Sequence, residues 1–188
     1  AFDHYAHWLK GATDDGGILY PIMPAGTFIW VFRAALLAAV ILHIWSAASL
    51  SAKTLANRGD KYAVTKKKAQ TYSSRTMRWG GIIIAAFLIF HLIQFTIIPG
   101  SFGGNGDEPH TMVLAGFQQW WMVLLYAICM VLICMHIRHG FFSAFTTLGA
   151  NTSAGAFKVL NVLAWIVALV LFIGFMVMPL AVLFGVIG

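Results

Sequence analysis

The sequence predicts an all-α membrane protein with four transmembrane helices, and three observations lead to this fold class. Hydrophobic residues make up 60% of the 188 residues, and only 10% are charged. This composition is typical of a chain that crosses a membrane several times. Four apolar stretches can each cross about 30 Å of hydrocarbon, and the polar loops between them segregate positive from negative charge. Residues 1–188 are therefore predicted to form a single transmembrane domain.

The chain before the first span is predicted to be a short amphipathic or irregular segment at the membrane interface, over residues 1–24. Its apolar side chains recur at helical spacing, at Phe2, Tyr5, Ala6 and Leu9. Glycines and prolines then interrupt the pattern, at Gly11, Gly16, Gly17, Pro21 and Pro24. His4 and His7 lie one turn apart in this segment, and we interpret both as solvated or interfacial.

The four predicted spans cover residues 26–51, 77–98, 117–139 and 157–187. The first contains one charged residue, Arg33, whose cation must reach the interface or find a partner. The loop of residues 52–78 contains a single acid, Asp60, against eight basic residues. These are Lys53, Arg58, Lys61, Lys66, Lys67, Lys68, Arg75 and Arg78. The positive-inside rule predicts that this loop is cytoplasmic.

The other loops agree with that orientation. The loop after the second span contains Asp107 and Glu108 and has no Lys or Arg, as expected outside the cytoplasm. Residues 1 and 188 are then both on the outer side, in a multi-pass protein of the plasma membrane. Because topology accounts for the net charge of +6, no nucleic-acid partner is expected.

Three histidines lie within long apolar runs, each in a different predicted span: His43, His91 and His136. An ionisable side chain at such depth is costly and indicates a functional site. The predicted orientation puts His43 and His136 in the inner half of the membrane and His91 in the outer half. At 1.5 Å per residue, the two levels differ by roughly 10 Å or more. The pattern is an inner pair and an outer single histidine.

Two neutral imidazoles that face each other across a helix bundle are the usual axial ligands of a b-type haem iron. His43 and His136 are therefore predicted to ligate one haem. Small residues one turn away would let a flat macrocycle approach, at Ala39, Ala47 and Gly140. Basic residues at the inner surface are candidate partners for the haem propionates, although ordinary positive-inside charge also explains them. They are Arg75, Arg78 and Lys53.

Other roles for the three histidines agree less well with the sequence than haem ligation does. Proton relays in membranes usually use Asp or Glu, and no acid occurs in the four predicted spans. Cys129 and Cys134 are five residues apart, so they do not share a helix face, and neither zinc binding nor a disulfide is favoured. Histidines that only hydrogen-bond a neighbouring helix remain an alternative. His139 is interpreted as interfacial, near a quinone or a propionate.

His91 has no second histidine at its level in the four predicted spans. Either the outer haem is absent, or a histidine from another helix completes its ligand set. The sequence begins without an initiator methionine, so we expect a preceding span that carries this histidine.

The chain resembles one known family, the cytochrome b membrane subunit of di-haem succinate dehydrogenases and fumarate reductases, especially the Gram-positive and actinobacterial versions. The resemblance rests on HYAHWL, SSRTMRWGG and HIRHGFFSAFTTLGA, and on the order and spacing of His43, His91 and His136. It covers nearly the whole chain. It implies a five-helix bundle whose last four helices are present here, with His91 as a ligand of the outer haem.

The resemblance also implies a function in the respiratory chain. A flavoprotein and an iron–sulfur subunit oxidise succinate in the cytoplasm, while the membrane subunit anchors them and passes electrons to a quinone, often menaquinone. Residues 52–78 would dock the iron–sulfur subunit, although attraction to lipid headgroups is an alternative role. His7, Asp14 and Asp15 would supply a proton-accepting group near the outer haem. The complex could also form homo-oligomers.

Two other functions remain open. A cytochrome b subunit of a hydrogenase or formate dehydrogenase would use the same histidines with a different electron donor. A haem-free transporter or structural membrane protein would use them only to link helices. Transport is disfavoured because the spans have no acids and show no paired broken helices.

Overall fold

The computed structural model describes residues 2–57 and 72–188, which form helices joined by turns and loops, with no strand among them. Four of the helices are long and apolar enough to cross a membrane: Thr27–Thr54, Met77–Ile97, Trp120–Thr147 and Ala154–Leu183. The predicted fold class, an all-α protein with four transmembrane helices, is confirmed. The chain divides into two compact units, Ala1–Lys68 and Ala69–Gly188.

The first unit contains helix α1, Phe2–Leu9, and helix α2, Thr27–Ala56. The connecting segment folds back tightly because Gly11 adopts a positive φ of 70°. A Cβ atom on Gly11 would lie 2.1 Å from the backbone nitrogen of Gly26. The glycine therefore lets the end of α1 approach the start of α2. Unlike α1, α2 is apolar around its whole circumference, which suits a helix surrounded by hydrocarbon.

The second unit consists of helix α3 with a π-helix at its end, two longer helices and one short helix. Their bounds are Tyr72–Leu92 for α3, Ile93–Ile97 for the π-helix, Pro109–Phe117 for α4, Trp120–Thr147 for α5 and Ala154–Leu183 for α6. Helix α5 is central, since it packs against both α3 and α6. The small buried residues Ala164 and Ala168 let α6 approach closely, as small residues do in membrane bundles.

The structure has three local features that the predicted spans do not specify. The π-helix lies within the second predicted span, residues 77–98. Helix α4 occupies the predicted outer loop, where Pro109 favours a first helical turn. Helix α6 begins at Ala154, three residues before the predicted span, because the hydroxyl of Ser153 caps it by accepting a hydrogen bond from the Ala156 N–H at 3.1 Å.

Candidate functional site

A chain of three polar side chains connects the end of α3 to the first third of α5. Nδ1 of His91 lies 3.0 Å from the hydroxyl oxygen of Tyr126. The same hydroxyl donates a hydrogen bond to Oε1 of Gln94, at 2.8 Å. We call His91, Tyr126 and Gln94 the polar cluster. It joins two helices within the apolar part of the second unit.

Aromatic rings enclose the polar cluster. Phe87 and Phe117 each meet the Tyr126 ring edge-on, with centroids 4.9 Å apart. The Phe95 ring lies 5.3 Å from the His91 ring. Tyr126 is only 7% exposed, and Gln94 only 2%. Because this environment excludes water, the two hydrogen bonds are stronger than they would be in solution, and losing either partner is costly.

Local sequence features bring Gln94 to this position. It lies in the π-helix, where the Ile98 N–H bonds to the carbonyl of Ile93. Single π-helical turns are rare and occur frequently at functional sites. On the α4 side, a Cβ atom on Gly116 would lie 3.0 Å from Nε2 of Gln94. The glycine therefore leaves room for the buried amide.

His136 lies further along the same pair of helices. A Cβ atom on Gly81 of α3 would lie 3.8 Å from Cε1 of His136 on α5. Gly81 precedes His91 by ten residues, and His136 follows Tyr126 by ten residues. Gly81 meets His136, and His91 meets Tyr126, so residue numbers increase along α3 as they decrease along α5. The two helices therefore run antiparallel. His91 and His136 therefore lie at two levels separated by about 15 Å along the helices.

Two glycines near His136 in the sequence of α3 and α5 leave backbone surface open. Gly80 is on α3, next to Gly81, and Gly140 is one turn beyond His136 on α5. A Cβ atom built on either glycine would have no atom of the described residues within 4 Å. This end of the α3–α5 pair can therefore admit another group against the backbone, such as a lipid chain or a flat cofactor.

The other predicted haem and quinone residues differ in their location and exposure. His43 lies on α2, in the first unit, so its pairing with His136 stays a prediction. Lys53 is exposed in the last turn of α2, and Arg78 is exposed on α3. His139 is half-buried on α5. The side chain of Arg75 and residues 58–71, which include most of the predicted docking loop, lie outside the described residues.

The interfacial candidates lie in the first unit. His7 is half-buried on α1, while Asp14 and Asp15 are exposed in the segment that follows. The Thr13 hydroxyl donates a hydrogen bond to Asp15, and this bond holds the pKa of the carboxyl below its ordinary value. Asp15 is therefore ionised at neutral pH and takes up a proton only in more acidic solution.

Gln94 and Tyr126 are not among the site residues that the sequence predicts, although each stands out in its span. Gln94 is the one amide side chain in the second predicted span, and Tyr126 is the one tyrosine in the third. Arg138 is likewise not among the predicted residues, and its Nη2 donates a hydrogen bond to Oδ1 of Asn161 at 2.8 Å. The Arg138 guanidinium lies 4.3 Å from the centre of the Trp165 ring. Asn161 and Trp165 are one turn apart on α6, so together they hold this cation in place.

Asn161→Leu is expected to lower the free energy of unfolding by about 1 kcal/mol, because Nη2 of Arg138 loses its acceptor in an apolar setting. Thermal unfolding in detergent measures the effect. Val162→Leu is the control, since Val162 is the next residue on α6 and is 50% exposed. Equal melting temperatures for the two variants would show that the Arg138–Asn161 bond contributes nothing to stability.

Within the described ranges, no three or more His, Cys, Asp or Glu side chains are grouped closely enough to hold a metal ion between them. A haem iron differs, because its macrocycle supplies four ligands and the protein needs only the axial ones. Comparison with models of known families, with curated proteins and with solved structures finds no match to this chain.

Proposed function

We propose that this chain is the haem b-bearing membrane subunit of a succinate:quinone oxidoreductase. In this role it anchors a flavoprotein and an iron–sulfur subunit at the cytoplasmic face of the plasma membrane and passes their electrons to a quinone, menaquinone being the favoured one. The supporting observation is the setting of His91. Its Nδ1 is engaged by a buried hydroxyl, which is how proteins orient a histidine that binds a metal through Nε2.

The described residues fit a haem in three respects. His91 is surrounded by aromatic side chains, which provide an apolar setting for a macrocycle. The glycines beside His136 leave backbone surface open to a flat group. The levels of His91 and His136 differ by about 15 Å, so each would ligate a different haem. The haem supplies one-electron chemistry, and the protein supplies axial ligands and low polarity.

The second axial ligand of each proposed haem is inferred from the sequence pattern. His43 is proposed as the partner of His136, because both lie towards the cytoplasmic ends of their predicted spans. The partner of His91 is proposed to lie on a helix outside this sequence. Exposed cations at Lys53 and Arg78 are available for haem propionates or for the iron–sulfur subunit.

Purification of the complex from its native membranes, through an affinity tag on this chain, tests the proposal. We expect a flavoprotein and an iron–sulfur protein to co-purify. We also expect succinate to reduce the b-type haem and a quinone analogue to reoxidise it. An inhibitor of succinate binding at the flavin should abolish the reduction and so serves as the control.

Two outcomes would contradict the proposal in different ways. Reduction by hydrogen or formate but not by succinate would assign the chain to a different dehydrogenase and leave its haem in place. A colourless, stable complex would instead favour a protein in which the histidines only link helices through hydrogen bonds, as His91 links α3 to α5.

A further inference from the structure

We propose that Tyr126 and Gln94 are positioning residues, which hold the proton of His91 on Nδ1 and so present Nε2 as the ligand of the haem iron. The second half of this statement rests on the proposed function, because that function supplies the iron. The first half concerns only side chains of this chain and can be tested without a haem.

The order of donors and acceptors follows from a count of protons. Tyr126 has one hydroxyl proton, which it donates to Oε1 of Gln94. With Oε1 of Gln94 as the acceptor of that proton, the hydroxyl oxygen accepts the hydrogen bond that joins it to Nδ1 of His91. Nδ1 then carries the imidazole proton. A neutral imidazole in this form has its free electron pair on Nε2, where it can bind a metal.

The packing around the polar cluster maintains this order of hydrogen-bond donors and acceptors. The amide of Gln94 and the hydroxyl of Tyr126 are both buried, so water cannot replace either partner. Phe87 and Phe117 hold the Tyr126 ring between two edge contacts. The π-helix sets the backbone position of Gln94 relative to His91. A residue whose proton location is set by two buried groups is prepared for one ligand geometry before any ligand arrives.

The cluster has an electronic consequence for the bound iron. A hydrogen bond donated from Nδ1 increases the basicity of the imidazole, and a more basic ligand stabilises ferric over ferrous iron. The His91-dependent haem is therefore expected to have its midpoint potential lowered by Tyr126.

Tyr126→Phe removes the hydroxyl and keeps the ring with its edge contacts. In the purified complex we expect unchanged haem content. At a fixed potential, the ratio of ferrous to ferric iron in the His91-dependent haem should rise about tenfold, equivalent to about 59 mV for a one-electron couple. Gln94→Leu should shift the ratio in the same direction. Gln94→Glu keeps an oxygen acceptor for the hydroxyl and should show no upward shift.

Met130→Leu is the matched control. Met130 lies one turn beyond Tyr126 on α5 and is equally exposed, at 7%, but it makes no hydrogen bond to His91. The substitution conserves side-chain volume and should leave the potential unchanged. If Tyr126→Phe and Met130→Leu give the same potential, Tyr126 has only a packing role and the proposal is overturned.

A second measurement does not depend on haem. In the full chain in detergent, with ¹⁵N-labelled histidine, the His91 signals are identified by their loss in His91→Gln. We expect a protonated Nδ1 and a bare Nε2 in haem-free protein. A proton on Nε2 would overturn the proposal even if the complex contains haem. The expected tautomer in a protein that never binds haem would retain the proton assignment but refute both the iron ligation and the proposed function.

Discussion

His136→Ala is expected to abolish one b-type haem signal and to leave a second, His91-dependent signal in place. Loss of an axial imidazole removes a coordination bond that packing cannot replace, so the affected haem should be lost almost entirely. The other haem should survive because His91 contacts Tyr126, ten residues before His136 on α5. That spacing corresponds to about 15 Å along the helix.

Difference spectra of the reduced and oxidised complex at low temperature, with haem content per chain, measure this result. His91→Ala should give the complementary loss. His4→Ala is the control for removal of an imidazole, because His4 is exposed on α1 outside the spans. If His136→Ala removes both signals from a folded protein, the two histidines do not serve separate haems.

Gly104→Ala is expected to destabilise the second unit by about 3 kcal/mol, since the strain combines a backbone and a steric effect. Gly104 has a φ of 81°, which residues with a side chain rarely adopt. Its Cβ atom would also lie 2.5 Å from the backbone nitrogen of Met112. Backbone cannot move aside as a flexible side chain can, so α4 would have to shift.

The shift of α4 should also reach the polar cluster. Helix α4 carries Gly116, which faces the amide of Gln94, and Phe117, which packs on Tyr126. The midpoint potential of the His91-dependent haem should therefore change together with the melting temperature in Gly104→Ala.

Gly149→Ala separates the two contributions to this strain. Gly149 has nearly the same φ, 82°, but a Cβ atom there meets no described atom within 4 Å. This variant should cost only about 1 kcal/mol, the price of the backbone conformation alone. Equal melting temperatures for the two alanine variants would show that the close approach of α4 to Gly104 is not required for stability.

The membrane-spanning helices could be predicted because hydrophobicity alone specifies them. A helix such as Trp120–Thr147 needs a long window of high mean hydropathy to cross hydrocarbon, and that property is visible without knowing any neighbour. The same reasoning identified His91 and His136, since each interrupts an apolar run. A polar residue in such a run stands out whatever its partner is.

The polar cluster could not be predicted in the same way. The meeting of His91 with Tyr126 depends on the register between α3 and α5, which apolar periodicity leaves undetermined in helices that are hydrophobic on all sides. The orientation of Gln94 depends on the π-helix, which a continuous apolar run does not distinguish from an α-helix. The sequence predicts a loop where α4 lies, because Gly, Asn and Asp precede that segment.

The haem content of the complex purified through this chain tests the central claim most directly. A pyridine haemochrome assay, normalised to the amount of this polypeptide, counts b-type haem irrespective of the electron donor. We expect two haems b per chain, of which one is lost in His91→Ala and the other in His136→Ala. A stable complex without haem, or a haem content unaffected by both substitutions, would contradict the assignment of these histidines as iron ligands.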